Sequence, residues 1–131
     1  MKPTEVMNLH DFREYLTYLK SSGNDSDGII FCFGTSFISR IIIAKTRLSY
    51  GEIVPSHVAM KIGDFLFEST SAPEIVGKKT IPPGVRRYLL TDFFKAEQFK
   101  QTDYAFYPCK LDRDVAESCI HLPYGKDIIL D

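Results

Sequence analysis

Apolar residues recur with two different periods along this chain. Over residues 8–19, Leu9, Phe12, Leu16 and Leu19 return at helical spacing, which predicts an amphipathic helix with its apolar stripe on a core. Asn8 can cap that helix. Asp11 falls in its first turn, where unpaired N–H groups favour a negative charge. The polar stretch 21–27 reads as a loop. Gly28–Gly34 (GIIFCFG) then reads as a short strand, apolar enough to be buried on both faces. Thr35 or Ser36 can cap a further helix through FISRIIIAKTR, and residues 50–55 read as an irregular loop.

Over residues 56–70 the period changes to two. HVAMKI and FLFEST alternate as strands do, and Gly63-Asp64 between them is a two-residue hairpin signal of type II′. A two-residue turn fixes the register. Ile62 then faces Phe65, Met60 faces Phe67, Ala59 faces Glu68 and His57 faces Thr70. Alternation places Val58, Met60, Ile62, Phe65, Phe67 and Ser69 on one face, expected to be the core face. His57, Ala59, Lys61, Leu66, Glu68 and Thr70 take the other, expected to be polar. His57 and Glu68 are diagonal neighbours there, about 7–8 Å apart at the backbone, a gap long side chains can bridge.

Beyond the hairpin, residues 72–84 carry Pro and Gly and read as a surface stretch. Residues 85–90 predict a strand, Thr91 a cap for a short helix through DFFKAEQF, 103–108 a strand, and 112–122 a helix ended by Pro123. The order is α+β, without the regular alternation of a parallel α/β sheet.

Composition narrows the function classes. At 131 residues the chain is expected to form a single domain. A net charge of -1 with dispersed Lys and Arg argues against nucleic-acid binding. The longest aliphatic run, Ile41 to Ala44, is far too short to cross a bilayer, so no transmembrane segment is expected. Cys32, Cys109 and Cys119 have no regular spacing, which argues against a disulfide framework. With no signal-peptide pattern at the start, this predicts a cytoplasmic, reducing setting. No metal-ligand cluster or glycine-rich phosphate loop appears, so neither metal nor cofactor is expected. His10 reads as a surface residue, and His121 as a helix-end residue.

A carboxylate that accepts from one imidazole nitrogen fixes the tautomer and supports the charge formed when the other takes a proton. His57 and Glu68 could therefore be the base and orienter of a nucleophilic site. From the hairpin alone, a satisfied His–Glu pair on a solvated sheet face is the more common arrangement.

The ordered set of motifs resembles the permuted NlpC-type branch of the papain-like cysteine hydrolases, the YiiX-like proteins. Asp27-Gly28-Ile29-Ile30-Phe31 is similar to that branch's first strand, with Gly and Asp exchanged. Ser56-His57-Val58 matches its histidine strand, and Phe67-Glu68 the strand after it. Gly84-Val85-Arg86 with Asp92-Phe93-Phe94 resembles its Gly-Val segment and short helix. The resemblance implies a papain-like α+β fold, a small antiparallel sheet packed against helices. It also implies cysteine-dependent cleavage at amide or ester bonds, with peptide, cell-wall amide or lipid ester substrates and viral or bacterial relatives. His57 would be the catalytic base and Glu68 its orienter.

In that branch the catalytic cysteine comes last, in a Cys-Ser-Glu-Leu motif at a helix start. Pro123-Tyr124-Gly125 looks like the preceding segment, but no such cysteine follows it. The resemblance thus implies a domain shortened at its C-terminus. Cys119 would sit inside its helix, away from the terminus that lowers a thiol pKa; Cys32 would sit on the strand expected to pair with the histidine strand, near His57 but without a helix terminus; and Cys109 has no supporting feature. Three expectations stay open: a piece of a longer cysteine amidase or peptidase, a degenerate and inactive binding protein that uses the remnant cleft for a ligand or protein partner, or an enzyme that uses Cys32 or Cys119 in a rearranged site.

Overall fold

The computed structural model describes residues 3–34, 55–71, 73–120 and 122–123. The expected helix after Thr35, His121 and the Tyr124-Gly125 segment lie outside these residues. The described elements are α1 (Leu9–Ser21), β1 (Gly28–Gly34), β2 (His57–Ile62), β3 (Phe65–Thr70), β4 (Glu74–Val76), β5 (Lys79–Ile81), β6 (Gly84–Leu89), α2 (Leu90–Glu97), β7 (Thr102–Pro108) and α3 (Arg113–Ser118).

Five strands form one antiparallel sheet in the order β6-β3-β2-β1-β7, which bears out the α+β reading. The hairpin register is the expected one, with Met60 opposite Phe67 and Ile62 opposite Phe65. Gly63 supplies the positive φ, +59°, that its turn needs. Both outer strands are contacted at one point or more along their open edges. The Met7 and Tyr104 backbones exchange hydrogen bonds along β7, and the Val85 N–H donates to the Leu122 carbonyl beside β6.

α1 forms as its pattern predicts. The Asn8 side chain accepts from the Asp11 N–H at 2.9 Å, and Phe12 and Leu16 are buried. They pack with Ile30, Cys32, Ala59, Leu66, Phe93, Phe94, Tyr104 and Phe106 into the larger core, between the sheet and helices α1 and α2.

That location corrects the expected faces of the hairpin. Ala59 and Leu66 belong to the face expected to be polar, yet this is the face the two helices cover. The face expected to be the core holds the smaller cluster, in which Ile62 and Phe67 pack against Ala116, while Val58 stays about half exposed at 48%. Two strands in isolation suggest one wet face. In the middle of a five-stranded sheet both faces are covered, and β1 and β7 add Ile30, Cys32, Tyr104 and Phe106 to the helix side.

Two local expectations are corrected as well. Leu89, not Thr91, is the N-cap residue of α2, and it makes no side-chain capping bond. The helix there follows directly from β6, and the Leu90 N–H donates to the Asp64 carbonyl instead. The surface stretch is exposed at 77–80 and 82–83 as expected, and it carries the β4–β5 hairpin, turned at Gly77 with φ +62°. The helix expected over 112–122 is only Arg113–Ser118, capped by Asp112.

Gly28 marks a close approach between strands. A Cβ at that position would collide with the Tyr107 carbonyl oxygen and the Phe106 ring. Gly28→Ala is therefore expected to cost about 1–3 kcal/mol through overpacking. Urea denaturation should show a lower midpoint at an unchanged slope, and an unchanged midpoint would contradict this packing.

Candidate functional site

His57 opens β2 and Glu68 lies on β3, and the turn-fixed register brings them together. His57 Nε2 lies 2.6 Å from Glu68 Oε2. The imidazole is about one-third exposed and the carboxylate 17%. An ionised carboxylate only accepts hydrogen bonds, so Nε2 carries the proton toward Glu68. In the neutral ring, Nδ1 is then the nitrogen able to accept a proton. Charge-assisted bonds of this kind are short and stronger than neutral ones.

The strand beside β2 supplies the surroundings. Cys32 on β1 is the register partner of His57 on one side and of Tyr104 on the other. Tyr104, Cys32 and His57 thus form one row across the sheet, on the helix-covered face. Ser56 ties the start of this row together. Its hydroxyl donates to the Cys32 carbonyl at 3.1 Å and accepts from the Gly34 N–H at 3.0 Å. The serine of the Ser-His-Val segment therefore pins the histidine strand to β1.

A polar cluster lies beside the row. Glu97 is 5% exposed, on the α2 face that carries Phe93, and the Lys100 ammonium lies 2.9 Å from its carboxylate. Partial burial pushes the Lys100 pKa down, but the hydrogen bond and charge of Glu97, with the charge of Glu68, raise it on balance. The Tyr104 hydroxyl is pushed well above the usual phenol range by burial, and next by the charge of Glu97. Residue-type reasoning missed Glu97, Lys100 and Tyr104. A signal for Glu97 existed in its spacing of four from Phe93, which puts it on the inward stripe of α2.

The three cysteines separate cleanly. Cys32 is 3% exposed. Burial, followed by the charges of Glu97 and Glu68, drives its thiol far above the usual range, with Lys100 opposing only in part. It is held as the neutral thiol, not as the nucleophilic thiolate. Cys119 is the C-cap residue of α3, and α3 packs through Ala116 on the opposite face of the sheet from His57. Cys109 follows β7, and its N–H donates to the Asp27 carbonyl at 2.9 Å. That is beyond the far end of β1 from Cys32, about 17 Å away at the rise of an extended strand. Cys119, expected inside its helix, lies just past the end of it instead, because the helix stops at Ser118.

Among the described residues, the one set of three potential metal ligands close enough to share an ion is His10, Asp11 and Glu14, exposed on α1. It does not include His57, and His10 is paired with Glu14 at 3.2 Å. No described helix is long and apolar enough to cross a membrane. No family model, characterised protein or solved structure matches the chain.

Proposed function

We propose that this chain is a papain-like domain of the permuted NlpC type, built on cysteine amidase or peptidase machinery. In this reading His57 is the general base and Glu68 the residue that orients it. The observation that carries the reading is the 2.6 Å contact between His57 Nε2 and Glu68 Oε2, which leaves Nδ1 as the proton-accepting atom. A surface ion pair needs no fixed tautomer. Here the Ser56 hydroxyl pins the histidine strand to β1 and the Glu68 carboxylate, itself mostly buried, holds the ring.

A nucleophile must lie within hydrogen-bond reach of its base and be able to ionise. The chain's cysteines do not meet both conditions together. Cys32 neighbours His57 but is held protonated, while Cys109 and Cys119 lie elsewhere. Where a competent thiol is lacking, the same domain would act by binding a peptide-like or ester ligand, or a protein partner, beside His57 and Glu68.

Iodoacetamide labelling followed by mass spectrometry tests this. In the native protein Cys32 is expected to label slowly at neutral pH, with the same rate in His57→Ala. Rapid labelling of Cys32 that disappears in His57→Ala would instead establish a working thiol–imidazole pair and an active hydrolase.

A further inference from the structure

A cleft of about 400 Å³ opens between α1, the start of α2 and the β2–β3 turn. Its floor is apolar, with Leu16 and Phe94 buried at 5% and 8% exposure and Leu90 beside them. Its lining charges do not cancel. Lys20 is hydrogen-bonded to Asp64 at 2.8 Å, and Lys61 to Asp25 at 3.0 Å. Arg13 has no carboxylate partner among the described residues. Its guanidinium lies over the Phe94 ring, 5.4 Å from the centroid.

We propose that this cleft binds a small monocarboxylic acid with an apolar body, its carboxylate on Arg13 and its body over Leu16 and Phe94. The guanidinium offers parallel N–H donors that match a carboxylate in bidentate fashion. Stacking on Phe94 fixes its orientation and removes part of its hydration. Transfer of an apolar ligand body onto the floor releases water from both surfaces. The cleft falls in the size range of small-molecule sites that combine an apolar lining with a few placed polar groups.

Charge selects the ligand class. An amine would meet the unpaired cation, and a neutral alkyl compound would gain the floor contacts alone. A dianion would find, among the described residues, a single free cation in the lining, with the Asp25 and Asp64 carboxylates close by. The site is separate from the His57–Glu68 pair: Lys61 lies four residues along β2 from His57, about 13 Å at strand rise.

The test is a ¹H–¹⁵N NMR titration of the whole chain with hexanoate, with hexanol and acetate as comparisons. Hexanoate is expected to give saturable shifts at the amides of Arg13, Leu16, Leu90 and Phe94, and to bind more tightly than either comparison compound. Arg13→Gln should weaken hexanoate binding at least about tenfold, and Arg13→Lys should fall between the two. Arg13 is exposed, so an unchanged spectrum away from the cleft will verify the fold of each variant. The proposal is overturned if hexanoate gives no saturable shifts at millimolar concentration, if hexanol binds as tightly, or if Arg13→Gln leaves the affinity unchanged.

Discussion

Phe12→Ala is expected to remove about 3–5 kcal/mol of folding stability, the usual range for deleting a buried aromatic ring. Phe12 is fully buried. Its ring stacks on Tyr104 with centroids 5.2 Å apart, and meets the edge of Phe94 at 6.1 Å. One side chain thus joins α1, α2 and β7. Its neighbours belong to a sheet and a second helix and cannot all collapse into the space left behind. Small domains are stable by only about 5–15 kcal/mol in total, so this variant should melt far below the wild type. Phe12→Leu, which refills most of the volume, should lose much less. Urea denaturation measures both, and a loss below about 1 kcal/mol for Phe12→Ala would mean that α1 contributes little to the core.

The second large effect concerns a charge. Lys61 is 3% exposed, and its ammonium reaches Asp25 Oδ1 and the Ser26 carbonyl, each at 3.0 Å. Breaking a buried pair by removing one partner leaves the other charge without compensation, at a cost of roughly 3–5 kcal/mol. Asp25 is itself about one-third exposed, so water replaces part of what it provides. Asp25→Ala is therefore expected to cost about 2–4 kcal/mol. Lys61→Met removes the charge but keeps the buried stem, and should be markedly less harmful. The ranking is the test. If Lys61→Met is the more damaging of the two in thermal unfolding, the ammonium is solvated and the pair contributes little.

Local pattern accounts for much of the architecture. The Asn8 cap, the inward positions Phe12 and Leu16, the strand at Gly28–Gly34 and the hairpin register all follow from spacing and turn chemistry, which act over a few residues. The register was enough to bring His57 and Glu68 together. Failures came where a distant segment decided the outcome. Thr91 is a good capping residue by type, but α2 starts earlier because its first N–H is satisfied by the hairpin turn at Asp64. Lys61 reads as solvent-facing in the hairpin alone. It is buried because the loop carrying Asp25 and Ser26 folds over its end.

The site divides along the same line. That His57 and Glu68 share a face was determined by the sequence itself, because a two-residue turn and a two-residue side-chain period leave one arrangement. Which side of the sheet that face became, and what surrounds it, was decided only by tertiary structure. β1 and β7 brought Cys32 and Tyr104 into the row, and α2 brought Glu97. The thiol was legible as a residue near the histidine. Its silence was not, since that comes from burial and from carboxylates contributed by β3 and by α2, some 65 positions further along the chain than Cys32. A side chain's neighbours across a sheet are fixed by pairings that no local period encodes.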